Sequence, residues 1–141
     1  MQTRHVYAFT ALQILALCFL PWLLITFPTP WNAQRYIGTA LVVGGISGIV
    51  VARYYLGKSF SIKAEAHALV TSGPYAKIRN PVYVFGTVFF IGLVLVVQRP
   101  ALWIVVVILV IGQTIRARRE ARVLEAAFGD AYREYRRKTW F

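Results

Sequence analysis

Two short stretches of the sequence collect the polar residues that are able to do chemistry. Arg79, Asn80 and Tyr83 lie in the first stretch, and Arg116 and Glu120 lie in the second. An arginine binds a carboxylate or phosphate through paired hydrogen bonds, and a carboxylate accepts hydrogen bonds from hydroxyl or amino groups. The step from Asn80 to a proline is typical of a helix start, whose free N–H groups also favour an anion. These residues predict a polar binding site; the alternative is a helix cap at Asn80 and a weak surface pair between Arg116 and Glu120.

Residue counts exclude several other kinds of site. The chain has one cysteine, Cys18, and both a disulfide and a thiolate metal site need at least two. Its two histidines, His5 and His67, lie far apart in the sequence, so we expect no metal ion. The glycines between residues 44 and 48 lie inside an apolar run, where their spacing is typical of a contact between helices and not of a cofactor loop.

Composition indicates a membrane protein. Of the 141 residues, 58% are hydrophobic and 15% are charged, and the formal net charge is +11. A soluble domain carries about a quarter charged residues, and a disordered chain is poor in aromatic and apolar residues. A basic nucleic-acid-binding domain does not contain long uninterrupted apolar runs, so we expect no nucleic-acid partner.

The apolar runs predict an all-α integral membrane fold, because a bilayer core of about 30 Å is crossed by roughly 20 helical residues. We predict one domain, residues 1–141, with four transmembrane helices at residues 6–27, 36–56, 81–97 and 101–115. The first run is longer than a signal peptide requires and has no cleavage site, so we expect it to be retained. The loop 57–80 and the tail 116–141 remain outside the spans.

The last two predicted spans are separated only by Gln98, Arg99 and Pro100, which predicts an antiparallel helical hairpin. Asn80 and Arg116 lie at nearly equal distances from this turn. We therefore expect residues 79–83 to face residues 113–120 at one membrane interface. Charged groups at the mouth of a helix bundle favour a functional site, although they can also be ordinary flanking charges.

The basic residues predict the orientation of these helices. Fourteen of the 16 Lys and Arg residues, and all five acidic residues, fall on one side of the predicted spans, while Arg35 and Arg99 fall on the other. Because cytoplasmic loops are rich in Lys and Arg, we expect both termini in the cytoplasm, at the inner membrane if the protein is bacterial. The tail 116–141 has apolar residues at helical spacing and predicts a cytosolic amphipathic helix with a stop at Gly129. Its last basic residues predict contact with anionic headgroups: Arg133, Arg136, Arg137 and Lys138.

The sequence then resembles a known family over about half its length. Residues 67–83 read HALVTSGPYAKIRNPVY, and residues 116–135 read RARREARVLEAAFGDAYREY. Together they are similar to the two signature blocks of the isoprenylcysteine carboxyl methyltransferase family and its bacterial phospholipid-methyltransferase-like relatives. These are small integral membrane enzymes that use S-adenosylmethionine. Two positions depart from the family pattern: Asn80 replaces a histidine, and Ala121 replaces the second of two glutamates, which leaves Glu120 as the one carboxylate there.

The resemblance implies roles for individual residues. It implies that the cofactor S-adenosylmethionine is bound by His67, Ala68, Leu69, Val70, Tyr75, Asn80, Pro81, Val82, Tyr83 and Glu120. It also implies that Arg116 faces the methyl acceptor and that Arg79 supports it. An arginine beside the acceptor suits a carboxylate, because it holds one oxygen while the other attacks the methyl group.

The resemblance therefore implies a methyltransferase that acts on a lipid-like or lipidated acceptor entering from the bilayer. We expect carboxyl O-methylation first and N-methylation of a phospholipid amine as the alternative. A non-catalytic membrane scaffold with a lipid-binding basic tail is a rival from another class, favoured by Ala121. A four-helix transporter is disfavoured because the predicted spans contain no acidic residue.

Overall fold

The computed structural model describes residue 19, residues 22–56 and residues 69–141. The main elements are α1, Ala33–Leu56; α2, Pro81–Val97; α3, Trp103–Phe128; and α4, Asp130–Lys138. Residues 22–26 are also helical, and Gly73–Ala76 and Pro100–Leu102 form short 3-10 turns. The predicted all-α fold is confirmed for these residues, in which the sole extended pairing is a parallel bridge between Ile78 and Trp140.

The predicted helix limits are correct for α2 and partly correct for the others. Helix α1 begins at Ala33, slightly before the predicted residue 36. Helix α3 does not stop at residue 115, because it continues through the charged sequence as far as Phe128. Gly129 then ends it, as predicted, with a positive φ of 52° and an N–H that donates to Glu125 O at 2.9 Å. The tail is therefore not one separate helix but the second half of α3 followed by α4.

Two of the described helices are long and apolar enough to cross a membrane. These are α1, with 24 residues, and α3 with its preceding turn, Pro100–Phe128, with 29 residues. Helix α2 is apolar but has 17 residues, which is short for a span. Most of the predicted first span, residues 6–27, lies outside the described residues, so the count of four spans stays a prediction.

Helices α1 and α2 pack with their backbones in contact. A Cβ atom added at Gly45 would lie 2.7 Å from Phe89 N, and one added at Gly92 would lie 2.7 Å from Gly38 O. Glycine alone permits this approach, which brings Val42 and Val96 into a fully buried position between the helices. The predicted glycine contact is thus formed within the chain by Gly45 but not by Gly44, which has nothing within 4 Å of an added Cβ.

Helix α3 packs against α2 much more loosely. The chain reverses at Gln98, which adopts the left-handed conformation with φ 55° and ψ 35°, and then enters the Pro100–Leu102 turn. Within α3 only Val106 and Ala117 are buried. The predicted antiparallel hairpin is confirmed by side-chain contacts between α2 and α3, and these contacts are concentrated at the end far from the turn.

Candidate functional site

The segment before α2 presents a buried tyrosine. Leu69 and Val70 are half-buried in an extended stretch, and Tyr75, in the Gly73–Ala76 turn, is 7% exposed. Burial, with smaller contributions from Tyr135 and Glu120, raises the pKa of the Tyr75 hydroxyl to about 12, and Arg53 acts in the opposite direction. The hydroxyl therefore remains protonated near neutral pH and is a hydrogen-bond donor, not a base.

Residues near the end of the chain hold this segment in place. Arg79 N–H donates to Trp140 O at 2.9 Å, Asn80 N–H donates to Phe141 O at 3.1 Å, and Trp140 N–H donates to Lys77 O at 2.7 Å. The Asn80 side chain adds a bond from Nδ2 to Phe141 O at 3.2 Å. We call this set of contacts the tail pairing. It joins residues 77–80 to residues 140 and 141 as neighbouring strands of a sheet are joined.

Asn80 lies at the N-cap position of α2 and Pro81 is the first helical residue, as predicted. The Asn80 side chain does not cap the helix, however, because its amide donates to Phe141 O instead. The Asn80 backbone oxygen accepts from Tyr83 N–H at 3.1 Å and from Val84 N–H at 3.2 Å. Protein carbonyl oxygens thus already engage three amides of this helix N-terminus, those of Asn80, Tyr83 and Val84.

The two predicted polar stretches meet across the hairpin. The Tyr83 hydroxyl donates to Glu120 Oε1 at 2.5 Å, and Thr87 Oγ1 lies 2.8 Å from Gln113 Oε1. The expectation that residues 79–83 face residues 113–120 is therefore confirmed for Tyr83 and Glu120. Half-buried Val82 lies in the first turn of α2 beside this contact.

Two arginines interact electrostatically with tyrosines of this region. Glu120 and Arg116 are exposed side chains of α3, and Arg116 interacts electrostatically with the Tyr83 hydroxyl. Arg79 is half-buried and interacts in the same way with Tyr135. Its Nε is buried and has no hydrogen-bond partner among the described residues. A buried N–H of this kind is costly to leave unpaired, so a ligand oxygen at this position would stabilise it.

His67, Ala68 and Ala121 are the other positions that the signature blocks single out. His67 and Ala68 lie outside the described residues. Ala121 is half-buried next to Glu120, and nothing in the described part of the chain replaces the carboxylate that the family pattern has there.

Three aromatic residues complete this region without having been predicted as site residues. The Tyr135 hydroxyl donates to Tyr75 O at 2.8 Å, which docks α4 against the turn, and Trp140 and Phe141 form the tail pairing. Docking of the tail by Tyr135 follows from its place on the apolar side of α4. Trp140 and Phe141 contribute only backbone atoms to the tail pairing, so their residue types could not have indicated it.

The basic tail carries less free charge than predicted. Arg133 pairs with Glu125 at 3.0 Å and with Asp130 at 2.9 Å, Arg136 lies 3.9 Å from Glu125, and Lys138 pairs with Glu134 at 2.6 Å. These are exposed pairs that contribute little to stability. They do reduce the charge that α4 offers to anionic headgroups.

A comparison with known families identifies the chain. A model of the family described as phospholipid methyltransferase matches residues 33–131, from the first residue of α1 to the start of α4. The match includes Tyr75, Asn80, Tyr83, Arg116 and Glu120, and it ends before Trp140 and Phe141. No curated protein and no solved structure matches the chain. Because the family model covers most of its length, the chain belongs to the phospholipid methyltransferase family, within the isoprenylcysteine and phospholipid methyltransferase group that its signature blocks resemble.

Proposed function

We propose that the protein transfers a methyl group from S-adenosylmethionine to a lipid-like or lipidated acceptor at the membrane. Membership of a methyltransferase family supports the reaction class. The observation that carries the proposal for this chain is the 2.5 Å contact between Tyr83 and Glu120, which joins the two signature blocks at one place.

The side chains at this place fit the polar groups of S-adenosylmethionine. Glu120 is exposed and has one carboxylate oxygen engaged by Tyr83, so the other is available to an amino or hydroxyl group. Tyr75 offers a protonated hydroxyl, and Arg79 offers an N–H that lacks an acceptor among the described residues. In this proposal Leu69, Val70, Asn80, Pro81 and Val82 line the same site, with His67 and Ala68 preceding it.

When bound, S-adenosylmethionine supplies a methyl group on a positively charged sulfur. The protein then has to orient the acceptor and exclude water, since such a donor is already activated. Tyr83 fixes the Glu120 carboxylate in one position, which preorganises one wall of the site. Arg116 is exposed beside it and would hold the acceptor.

For the acceptor we favour a carboxylate, because Arg116 lies beside the Tyr83–Glu120 contact and Arg79 has a buried N–H without an acceptor among the described residues. An arginine that binds one carboxylate oxygen keeps the group ionised while the other oxygen attacks. A phospholipid amine is the second candidate, and the description of the matching family favours it. In that case Arg116 would bind the headgroup phosphate.

We further propose that α1, α2 and α3 cross the membrane with the Tyr83–Glu120 contact at the cytosolic interface. Most basic residues lie at that end, which supports the orientation. An acceptor anchored in the bilayer would then reach the site laterally, beside the loosely packed α3.

Cofactor binding tests the proposal against a non-catalytic scaffold. Purified protein in detergent should bind S-adenosylhomocysteine, and Glu120→Ala should weaken binding roughly tenfold or more, since a charge-assisted hydrogen bond contributes about 1.5–3 kcal/mol. Glu134→Ala is the matched control, because Glu134 is an exposed glutamate paired with Lys138 on α4. Absence of wild-type binding at millimolar ligand would refute the proposal.

The acceptor class is tested by transfer of a radiolabelled methyl group to fractionated membranes. Carboxyl methylation produces an ester, so the label should be released by mild base. Label that was extracted in the phospholipid fraction and that base does not convert to volatile methanol would instead establish amine methylation.

A further inference from the structure

Helix α3 carries a continuous exposed stripe that changes from apolar to cationic along its length. The apolar part consists of Ile104, Ile108, Ile111 and Ile115, which are 65%, 65%, 55% and 47% exposed. Positions 118, 119 and 122 continue the same helix face, because residues three, four and seven apart lie above one another. All three are exposed arginines: Arg118, Arg119 and Arg122. We call them the α3 arginines.

The α3 arginines differ from three of the four basic residues of α4 in their partners. Arg133, Arg136 and Lys138 on α4 lie within 4.0 Å of a carboxylate. In the part of the chain that the structure describes, no such ion pair involves an α3 arginine. Three uncompensated cations on one helix face therefore lack a counter-charge from the protein.

The position of the α3 arginines indicates what supplies that counter-charge. The apolar stripe ends at Ile115, and Arg118 begins the next turn, so the change of polarity occurs within about 5 Å along the helix axis. In a helix that leaves the hydrocarbon region, the next turn lies at the level of the lipid phosphates. The 26-residue α3 is long enough to reach this level and continue beyond it.

We infer that the α3 arginines bind the phosphate groups of anionic phospholipids in the leaflet where α3 leaves the membrane. Arginine suits this partner because its planar guanidinium binds phosphate oxygens in pairs. Glu120 lies on the opposite side of α3, directed towards Tyr83 of α2, so this surface is distinct from the proposed active site. The inference rests on α3 spanning the membrane, as the proposed function also requires, but not on methyl transfer.

The test compares two triple variants of the full-length protein in neutral detergent. Added phosphatidylglycerol should raise the melting temperature of the wild type by about 4 °C or more, and added phosphatidylcholine should not. The gain should be lost in Arg118→Gln/Arg119→Gln/Arg122→Gln. It should persist in the control Arg133→Gln/Arg136→Gln/Lys138→Gln, which removes the same charge from α4.

Three results would overturn the inference: equal gains in the two triple variants, loss of the gain in the α4 variant alone, or equal gains with both lipids. If the first variant does not fold, the three single variants are compared by the phosphatidylglycerol that remains bound after purification, which should fall in each. S-adenosylhomocysteine binding, measured on the same samples, should be unchanged in both triple variants. Intact lipid dependence without cofactor binding would refute the proposed function alone.

Discussion

The two ends of the helix bundle each contain an arginine with a buried Nε that has no hydrogen-bond partner among the described residues, but the two ends are built differently. At the turn end, Arg35 is 1% exposed. Its guanidinium donates to Leu24 O at 2.7 Å and to Thr29 O, and it lies 4.0 Å from the centre of the Trp31 ring. This arginine is enclosed by the backbone of the segment that precedes α1.

The neighbouring polar side chains are likewise hydrogen-bonded to backbone atoms. Asn32 Oδ1 accepts from Arg35 N–H at 3.0 Å, Gln98 Nε2 donates to Pro30 O at 3.2 Å, and Thr29 Oγ1 donates to Val96 O at 2.9 Å. The turn end thus uses its polar side chains to fasten one backbone segment to another. An aromatic ring over the guanidinium adds cation–π stabilisation.

At the opposite end, Glu120 and Arg116 are exposed, and the Arg79 side chain interacts electrostatically with Tyr135 while its Nε has no hydrogen-bond partner among the described residues. The Tyr83 hydroxyl fixes Glu120 but leaves its second oxygen available. A buried charge in a membrane helix is therefore not by itself a functional site, although such charges are a natural first candidate. Since the Nε of both arginines lacks a partner in the described part of the chain, what distinguishes the opposite end is unused polar capacity at exposed atoms, such as the second oxygen of Glu120.

Removal of the enclosed arginine should produce the largest effect. Arg35→Met leaves two carbonyl oxygens without their donor, which costs on the order of 3 kcal/mol and should lower the melting temperature by about 10 °C. Arg99→Met is the control, because Arg99 is exposed and its substitution should change the melting temperature very little. S-adenosylhomocysteine binding of folded Arg35→Met should match the wild type; lost affinity with an unchanged melting temperature would mean that the turn end is the site.

A side chain between α1 and α2 should disturb the scaffold that connects the two ends. The new Cβ of Gly45→Ala would lie 2.7 Å from Phe89 N, and we expect a loss of about 2 kcal/mol. At the neighbouring Gly44, an added Cβ would have nothing within 4 Å. Gly44→Ala should therefore stabilise α1 by about 0.5–1 kcal/mol through helix propensity. The melting temperature of Gly45→Ala should be lower than that of Gly44→Ala, and similar values would contradict the backbone contact between α1 and α2.

A change confined to the tail pairing should affect the end of the bundle that contains Arg79 more than the turn end, which contains Arg35. Trp140→Pro removes the N–H that donates to Lys77 O, at a cost of about 1 kcal/mol, and it loosens the segment that carries Arg79 and Asn80. Trp140→Ala retains this N–H and is the matched control. We expect the affinity for S-adenosylhomocysteine to fall several-fold in Trp140→Pro and to remain near that of the wild type in Trp140→Ala. An equal loss of affinity in both variants would mean that the indole ring, and not the N–H, is responsible.

The smallest expected effect is a dependence of stability on alkaline pH. Burial raises the pKa of Tyr75 and that of Tyr135 from 10.0 to about 12, so folding favours their protonated forms. The resulting contribution to stability is complete below pH 10 and is lost as the pH rises through 12. Melting temperatures between pH 9 and pH 12 should fall less steeply for Tyr75→Phe than for the wild type. Tyr54→Phe, at an exposed position, should follow the wild type.

Much of this arrangement could be predicted where it depends on the length and spacing of apolar runs. The limits of α2 and the meeting of Tyr83 with Glu120 follow from a short turn between two apolar runs, because equal distances from a turn give equal depth. The end of α3 at Gly129 could be predicted for a similar local reason, the positive φ that glycine tolerates.

Other features could not be predicted because they depend on contacts distant in sequence. Gly45 and Gly44 are indistinguishable in sequence, and only the position of α2 decides which of them forms the contact. The charge of Arg133 is evident from the sequence, but its neutralisation requires the bend at Gly129 that brings it to Glu125. Arg35 similarly looks like an interfacial charge until the preceding segment folds over it.

The tail pairing also has a consequence for the order of events during synthesis. Asn80 and Phe141 are separated by 61 positions, so the bond between them cannot form until the ribosome has added residue 141. Helices α1 and α2 can be inserted and packed long before that time. The segment that holds Arg79 therefore takes its final position after α1 and α2 can pack, and in the proposed function ligand binding has to follow that step.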